Sequence, residues 1–299
     1  MRGSLITAIR KNKESYLLMT PYMIFFLAFT ILPVVIAIIL GFTYFSMVEA
    51  PRFIGWHNYI RMFLDDDVFI IAVKNTLLFA FITGPIGYML SFLVAWMIND
   101  MPRTLRSIAT TIFYIPAIAA PSIYPMWFQF FSPDEYGYVN SFLINLGFIE
   151  DPIAWLLDPK YVMWVLILVQ LWLSLGISFL AFIAGLQTID KSMYEAGVMD
   201  GIKNRFQELW YITLPSMVPQ LVFGAVMQIV AAFSVADVSI ELAGFPSTDY
   251  AAETMVTHLR DYLNIRYELG YTSAISVVLF VMMIFSSRLT TKLLHKVGS

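Results

Sequence analysis

The sequence predicts an all-α polytopic membrane protein with six transmembrane helices, and three observations carry that reading. Across 299 residues, 59% are hydrophobic and only 13% are charged, with a mean hydropathy of +0.74. A soluble domain carries roughly 25% charged residues, because its surface must face water. Charge-free runs recur at lengths near the ~20 residues that a helix needs to cross hydrocarbon. The charged residues collect between those runs, as expected where an ionised group at the bilayer centre costs several kcal/mol.

The first run lies between Glu14 and Glu49 and can cross at a tilt while leaving an interfacial end. Its length, Pro21 and Pro33, and the lack of a small-residue cleavage site predict a retained first helix rather than a cleaved signal peptide. The second run spans Lys74 to Asp100. The third, Arg106 to Asp134, holds Pro116, Pro121 and Pro125. Such residues at membrane depth need neighbours that satisfy the freed backbone groups. They predict either an irregular bundle around a pathway or simple packing kinks. Tyr136 to Ile149 is too short to span and reads as an interfacial or re-entrant piece. In the fourth run, Lys160 to Asp190, Gln170, Ser174 and Ser178 recur at i, i+4, i+8 and so share one helical face. The fifth, Glu208 to Asp237, begins at Pro215, a residue suited to a first turn, and holds Gln228, with Asp237 at its outer end. The sixth lies between Glu268 and Arg288. No stretch between spans is long enough to bury a core of its own. The division expected is a cytoplasmic segment 1–15, a membrane domain 16–290 with its core at about 70–290, and a cytoplasmic tail 291–299.

Orientation follows from Lys and Arg. With both termini cytoplasmic, twelve of the 18 fall inside, among them Arg10, Lys11, Arg103, Arg106, Lys191, Lys203, Arg205 and Lys292. The acidic run Asp65-Asp66-Asp67 falls outside. With no cysteine, disulfides and thiolate metal sites are excluded. The histidines His57, His258 and His295 are scattered and read as surface or loop residues, so no metal site is expected. A net charge of −3 gives no reason to expect nucleic acid. No paired carboxylates or activated nucleophile point to an enzyme.

The informative segment is the predicted cytoplasmic loop at 190–215. Asp190 is placed to cap a short helix through Tyr194, Glu195 and Ala196. Gly201 permits a tight turn, after which Asp200 or Asn204 begins a second amphipathic helix. Ala196, Gly197 and Gly201 are small residues where another protein's backbone can come close.

This segment resembles the EAA loop of the permeases of ABC importers, which runs Glu-Ala-Ala, three residues, Gly, then about nine residues to Ile-x-Leu-Pro. Glu195, Ala196, Asp200, Gly201, Phe206, Ile212, Leu214, Pro215 and Pro219 match it. Gly197 stands where the second alanine is usual, and Ile202 where alanine is common; Gly197 costs the helix up to ~1 kcal/mol relative to alanine. Phe53-Ile-Gly55-Trp-His-Asn58-Tyr59, Lys74-Asn75-Thr76, Tyr136-Gly137-Tyr-Val-Asn140 and Ala154-Trp155-Leu156 look like outer loops of carbohydrate-uptake permeases. Leu242-Ala-Gly244-Phe-Pro246 with Thr254 resembles a Gly-Gly-Pro…Thr motif that has lost one glycine to Phe245.

The resemblance implies the type I ABC importer permease fold in a bacterial cell membrane. It implies a second homologous permease, two cytoplasmic ATP-binding subunits and an extracellular solute-binding protein as partners. ATP and Mg are used by the ATPase; this chain has no phosphate loop and is expected to bind no cofactor. Tyr194, Glu195, Ala196, Gly197, Asp200, Gly201, Phe206, Leu214 and Pro215 would form the coupling element, with Glu195 holding a basic residue of the ATPase. Solute would be a carbohydrate, moved by alternating access. For its path, Gln170, Ser174, Ser178, Gln228 and Asp237 offer polar contacts, although a polar stripe serves equally as glue between helices. Trp172 and Phe233 either stack on sugar rings or pack. Two other readings stay open: the same machinery carrying glycerol phosphate, and an ion-coupled secondary transporter, which would ordinarily show mid-membrane carboxylates or inverted repeats.

Overall fold

The structure, a computed structural model, describes residues 12–295. The predicted segment 1–15 lies outside the described residues up to residue 11, as do residues 296–299 of the predicted tail. Five described helices are long and apolar enough to cross a membrane, and a bent pair makes up to six. The five are α1 (Lys13–Leu40), α3 (Asp67–Asn99), the broken helix α7 (Val162–Leu173) with α8 (Ile177–Thr188), the broken helix α11 (Val218–Phe233) with α12 (Asp237–Ala243), and α14 (Leu269–His295). The bent pair is α4 (Arg103–Ile118) and α5 (Ala120–Phe130), which turn by 77°.

Prolines account for several irregularities. A proline has no N–H, and its ring crowds the carbonyl four residues back, so the helix widens ahead of it. A π-turn at Leu27–Ile31 accordingly precedes Pro33, and another at Leu209–Thr213 precedes Pro215. The 77° bend falls at Ala119 (φ −88°, ψ 9°), just before Pro121 in the first turn of α5. The fifth span begins at Val218 with Pro219 in its first turn. Pro215 lies in the separate turn Leu214–Ser216 before it, which corrects the predicted start of that span.

The described chain divides into two compact units. One holds residues up to Met62 and Tyr262–Val278. In it α1 buries no residue. A short hairpin follows, β1 (Thr43–Tyr44) with β2 (Arg52–Phe53), then α2 (His57–Leu64). Asn58 is buried and donates Nδ2 to the carbonyls of Gly41 (3.0 Å) and Thr43 (2.9 Å). Arg61 pairs with Glu268 at 2.6 Å and lies over the Tyr271 ring.

The other unit holds Phe63–Asp261 and the described residues from Leu279 onward. Its centre is α3, packed along α7, α8 and α11. Phe92, Ala95 and Ile98 of α3 form one core with Phe179, Phe182 and Ile183 of α8 and Leu221 of α11. A second core gathers Phe79 of α3, Val165 and Val169 of α7, and Val238 and Leu242 of α12. The piece at 136–149 forms an eight-residue helix, α6 (Tyr138–Asn145), too short to span. α13 (Met255–Asn264) precedes α14.

Candidate functional site

The segment 190–215 is built by local rules. Asp190 has extended backbone, and its carboxylate accepts from the Ser192 N–H at 3.0 Å, capping α9 (Lys191–Met199). That bond and one from the Ser192 hydroxyl hold the Asp190 carboxyl below its ordinary range. At the other end the Gly201 N–H donates to Val198 (3.2 Å) and the Ile202 N–H to Gly197 (2.9 Å). This is the Schellman pattern, and it needs the left-handed residue supplied by Gly201 at φ +95°. Asn204, rather than Asp200, caps the next helix, α10 (Arg205–Glu208): its Oδ1 accepts from the Gln207 N–H at 2.9 Å. Gln207 answers with its own Oε1 on the Lys203 N–H at 2.8 Å.

Tyr194, Glu195, Ala196 and Gly197 follow one another along α9, whereas Asp200 and Gly201 make its C-terminal turn. Glu195, Ala196 and Asp200 are exposed, and Gly197 is buried. A Cβ on Gly197 would sit 2.6 Å from Ile212 Cδ1 and 3.0 Å from Ile202 Cδ1. The two departures from the EAA pattern therefore complement each other: a larger residue at 202 fills space that a smaller one at 197 vacates. Tyr194 shares a 3.0 Å hydrogen bond with the buried hydroxyl of Thr213, tying α9 to the approach of the fifth span. Arg205 pairs with Asp100 at the end of α3 and lies 4.8 Å over the Trp96 ring. Phe206, exposed, meets the same Trp96. Leu214 is half-buried and Pro215 exposed.

Thr213, Asp100, Arg205, Trp96 and the apolar contact of Ile202 and Ile212 with Gly197 were not legible as site residues in the sequence. The only signal for any of them was the Asn204-x-x-Gln207 spacing, which announces a helix start at Arg205.

The polar residues of the spans are arranged differently from the predicted stripe. The chain leaves helical geometry after Leu173, with Ser174 as the C-cap of α7 and Gly176 at φ −101°, ψ −132°. Gln170 and Ser178 therefore stand on separate helices, and Gln170, Ser174 and Ser178 share no continuous face. Ser174 turns its hydroxyl onto Leu171 (2.6 Å), while its carbonyl accepts from Ser91 of α3 (3.2 Å). Ser178 donates to the Gly224 carbonyl of α11 at 2.9 Å, and Gln228 lies near Thr83 of α3. Gly87 of α3 faces Gln228 and Ser174 so closely that a Cβ would meet Gln228 Nε2 at 2.5 Å. These buried groups join α3, α8 and α11. Phe233 is buried as well, and Trp172 is exposed against Trp127. Asp237 is exposed at the start of α12 and pairs with Arg260 at 2.7 Å.

The remaining motif residues hold loops. Asn75 Nδ2 lies within 3.2 Å of the carbonyls of Tyr250, Ala251 and Glu253. Thr76 accepts from the Met255 N–H at 2.9 Å, and Thr254 donates to the Val235 carbonyl at 2.8 Å. Asn140 is fully buried; its Oδ1 accepts from the Ile153 N–H (3.1 Å) and from Trp155 Nε1 (2.7 Å). His57 is exposed, but His258 is buried at 3.0 Å from Asp66, which corrects its reading as a surface residue. His258 lies on the inward face of α13, where a carboxylate partner offsets the loss of water. Beside it Glu253 is also buried, and that burial pushes its carboxyl up, against the opposing pull of the Thr257 hydroxyl and His258. His295 is the last described residue. No group of three metal-binding side chains occurs among the described residues.

Residues 87–298 match the family described as "Binding-protein-dependent transport system inner membrane component". The probable ABC transporter permease protein YesP of Bacillus subtilis is 34% identical over 229 residues, covering 76% of this chain and 72% of that protein. The arabinooligosaccharides transport system permease protein AraP of the same organism is 30% identical over 284 residues, covering 95% and 89%. Among solved structures, the chain is similar to a bacterial alginate ABC transporter crystallised with an alginate pentasaccharide-bound periplasmic protein. That likeness has a TM-score of 0.72 at 26% identity and covers 96% of this chain and 98% of the other.

Proposed function

The chain belongs to the family of binding-protein-dependent transport system inner membrane components, the permeases of ABC importers, and from that premise we propose that it carries a sugar or oligosaccharide and that α9 is where a separate ATPase grips it. The cargo rests on the relatives, one named for arabinooligosaccharides and one crystallised with an alginate-loaded receptor. The grip rests on one observation: α9 presents exposed Glu195 and Ala196. The same helix is fastened to the fifth span through Tyr194 and Thr213 and, through α10, to α3 by Arg205 and Asp100. A push on α9 is thereby passed to two spans.

The working unit is this permease, a second permease of the same kind, two ATPase subunits and an external receptor, set in a bacterial cytoplasmic membrane with both termini inside. ATP chemistry belongs to the ATPase, and this chain moves solute without making or breaking bonds. The helix α1, apolar and without a buried residue, is covered by lipid or by the second permease. Tyr194, Gly197, Asp200, Gly201, Phe206, Leu214 and Pro215 shape the coupling element. Gln170, Trp172 and Asp237 remain candidates for solute contact, while Ser174, Ser178, Gln228 and Phe233 serve chiefly as joints between helices.

The test is ATP hydrolysis by the assembled importer in lipid, with its receptor loaded by oligosaccharides in turn. Sugar-loaded receptor should raise hydrolysis and drive uptake. Uptake by the chain alone, without an ATPase, would overturn the proposal.

A further inference from the structure

A cavity of about 660 Å³ opens between the end of α3, the first turn of α4, the last turn of α8 and the α9–α10 segment. Four cations line it, Arg103, Arg106, Lys191 and Arg205, against two carboxylates, Asp100 and Glu208. Arg205 is engaged by Asp100 and the face of Trp96. Arg106 donates one N–H to the Asn99 carbonyl at 3.0 Å. Arg103 and Lys191 make no ion pair among the described residues.

Three of these cations stand at helix starts. Arg103, Arg106 and Lys191 occupy first helical turns, where the helix dipole disfavours a cation. Setting membrane orientation asks only that cations lie on this side, not that they converge on one cavity at a local cost. An anion in the cavity would offset that cost. The cavity sits where the apolar helices α3 and α8 end and α4 begins, with Trp96 on its rim. That is the level of lipid headgroups, where Trp is enriched.

We propose that this cavity binds the headgroup of an anionic phospholipid, of which phosphatidylglycerol is the probe. Arg103, Arg106 and Lys191 hold the phosphodiester. A lipid held there bridges the start of α4 to α9, so the anionic lipid content of the membrane would bear on the coupling segment. The proposal goes beyond the transport reading, and its readout is lipid retention rather than uptake, so either can fail without the other.

The experiment is native mass spectrometry of the assembled importer, released from nanodiscs of phosphatidylcholine and phosphatidylglycerol. The expected result is selective retention of phosphatidylglycerol, weakened by about tenfold or more in R103Q/R106Q/K191Q, since charge-assisted hydrogen bonds are lost. K191Q alone removes an exposed cation from a first turn, which does not endanger α9, and should weaken retention measurably. Equal retention of the two lipids, or of phosphatidylglycerol by wild type and both variants, overturns the proposal. Displacement of the lipid by millimolar inorganic phosphate reassigns the cavity to a soluble anion. Loss of the lipid when the ATPase subunits join the permease pair means that a protein side chain fills the cavity, and that also overturns it.

Discussion

At the scale of single residues, the coupling element depends on two glycines for different reasons. Gly197 is required by space: its missing Cβ leaves room for Ile212 Cδ1 at 2.6 Å and Ile202 Cδ1 at 3.0 Å. Gly197→Ala should lower thermal stability by about 1–2 kcal/mol as an overpacked contact. Ile212→Val removes the clashing methyl, so the double variant should recover part of that loss. A double-mutant cycle in thermal unfolding measures the coupling, and strict additivity would remove the packing account. Gly201 is required by conformation, since φ +95° strains any side chain by about 1–3 kcal/mol. Gly201→Asp should leave the protein inserted and ATP hydrolysis running while uptake fails; uptake at the normal rate would end the assignment of this loop.

At the scale of elements, asparagines do much of the loop building. Asn140 ties α6 to the chain at 153–155 by accepting from Ile153 and Trp155. Asn140→Ala leaves both donors without that acceptor, at about 1–3 kcal/mol each. It should lower the unfolding temperature far more than Asn145→Ala on the exposed face of the same helix, as differential scanning fluorimetry would read. Helix interruptions divide into two kinds. Those at Leu27–Ile31, Ala119 and Leu209–Thr213 adjoin prolines and follow from covalent structure. Those at Ser174–Gly176 and Ser234–Ala236 lie in runs without proline. The polar groups freed at Ser174 find partners on α3, which only packing could supply.

At the scale of the whole molecule, the absence of cysteine makes orientation directly measurable. Single cysteines at Ser192 and Thr248 should react with impermeant maleimide from opposite faces of the membrane, Ser192 from the cytoplasm. Glu253 gives a pH signature. Its carboxyl is raised above the ordinary value of 4.5 by burial, with Asp261 adding to the rise and Thr257 and His258, itself paired to Asp66, opposing it. A raised pKa means that the stabilisation belongs to the protonated form: it is complete below 4.5 and is lost as pH climbs through the folded value. Glu253→Gln, neutral throughout, should therefore unfold at a higher temperature than wild type near pH 8, and the difference should vanish in acid. Sequence alone determined the membrane class, the apolar runs, the piece at 136–149 too short to span, the cap at Asp190 and the turn at Gly201, because hydropathy, charge placement and capping act over a few neighbouring residues. Tertiary structure decided that Gln170, Ser174 and Ser178 do not form one face, that His258 is buried against Asp66, and that Asp100 and Thr213 fasten the coupling segment. Those facts join residues as far as 192 positions apart, and no local period or spacing encodes which distant side chain will offset the cost of burying a polar group.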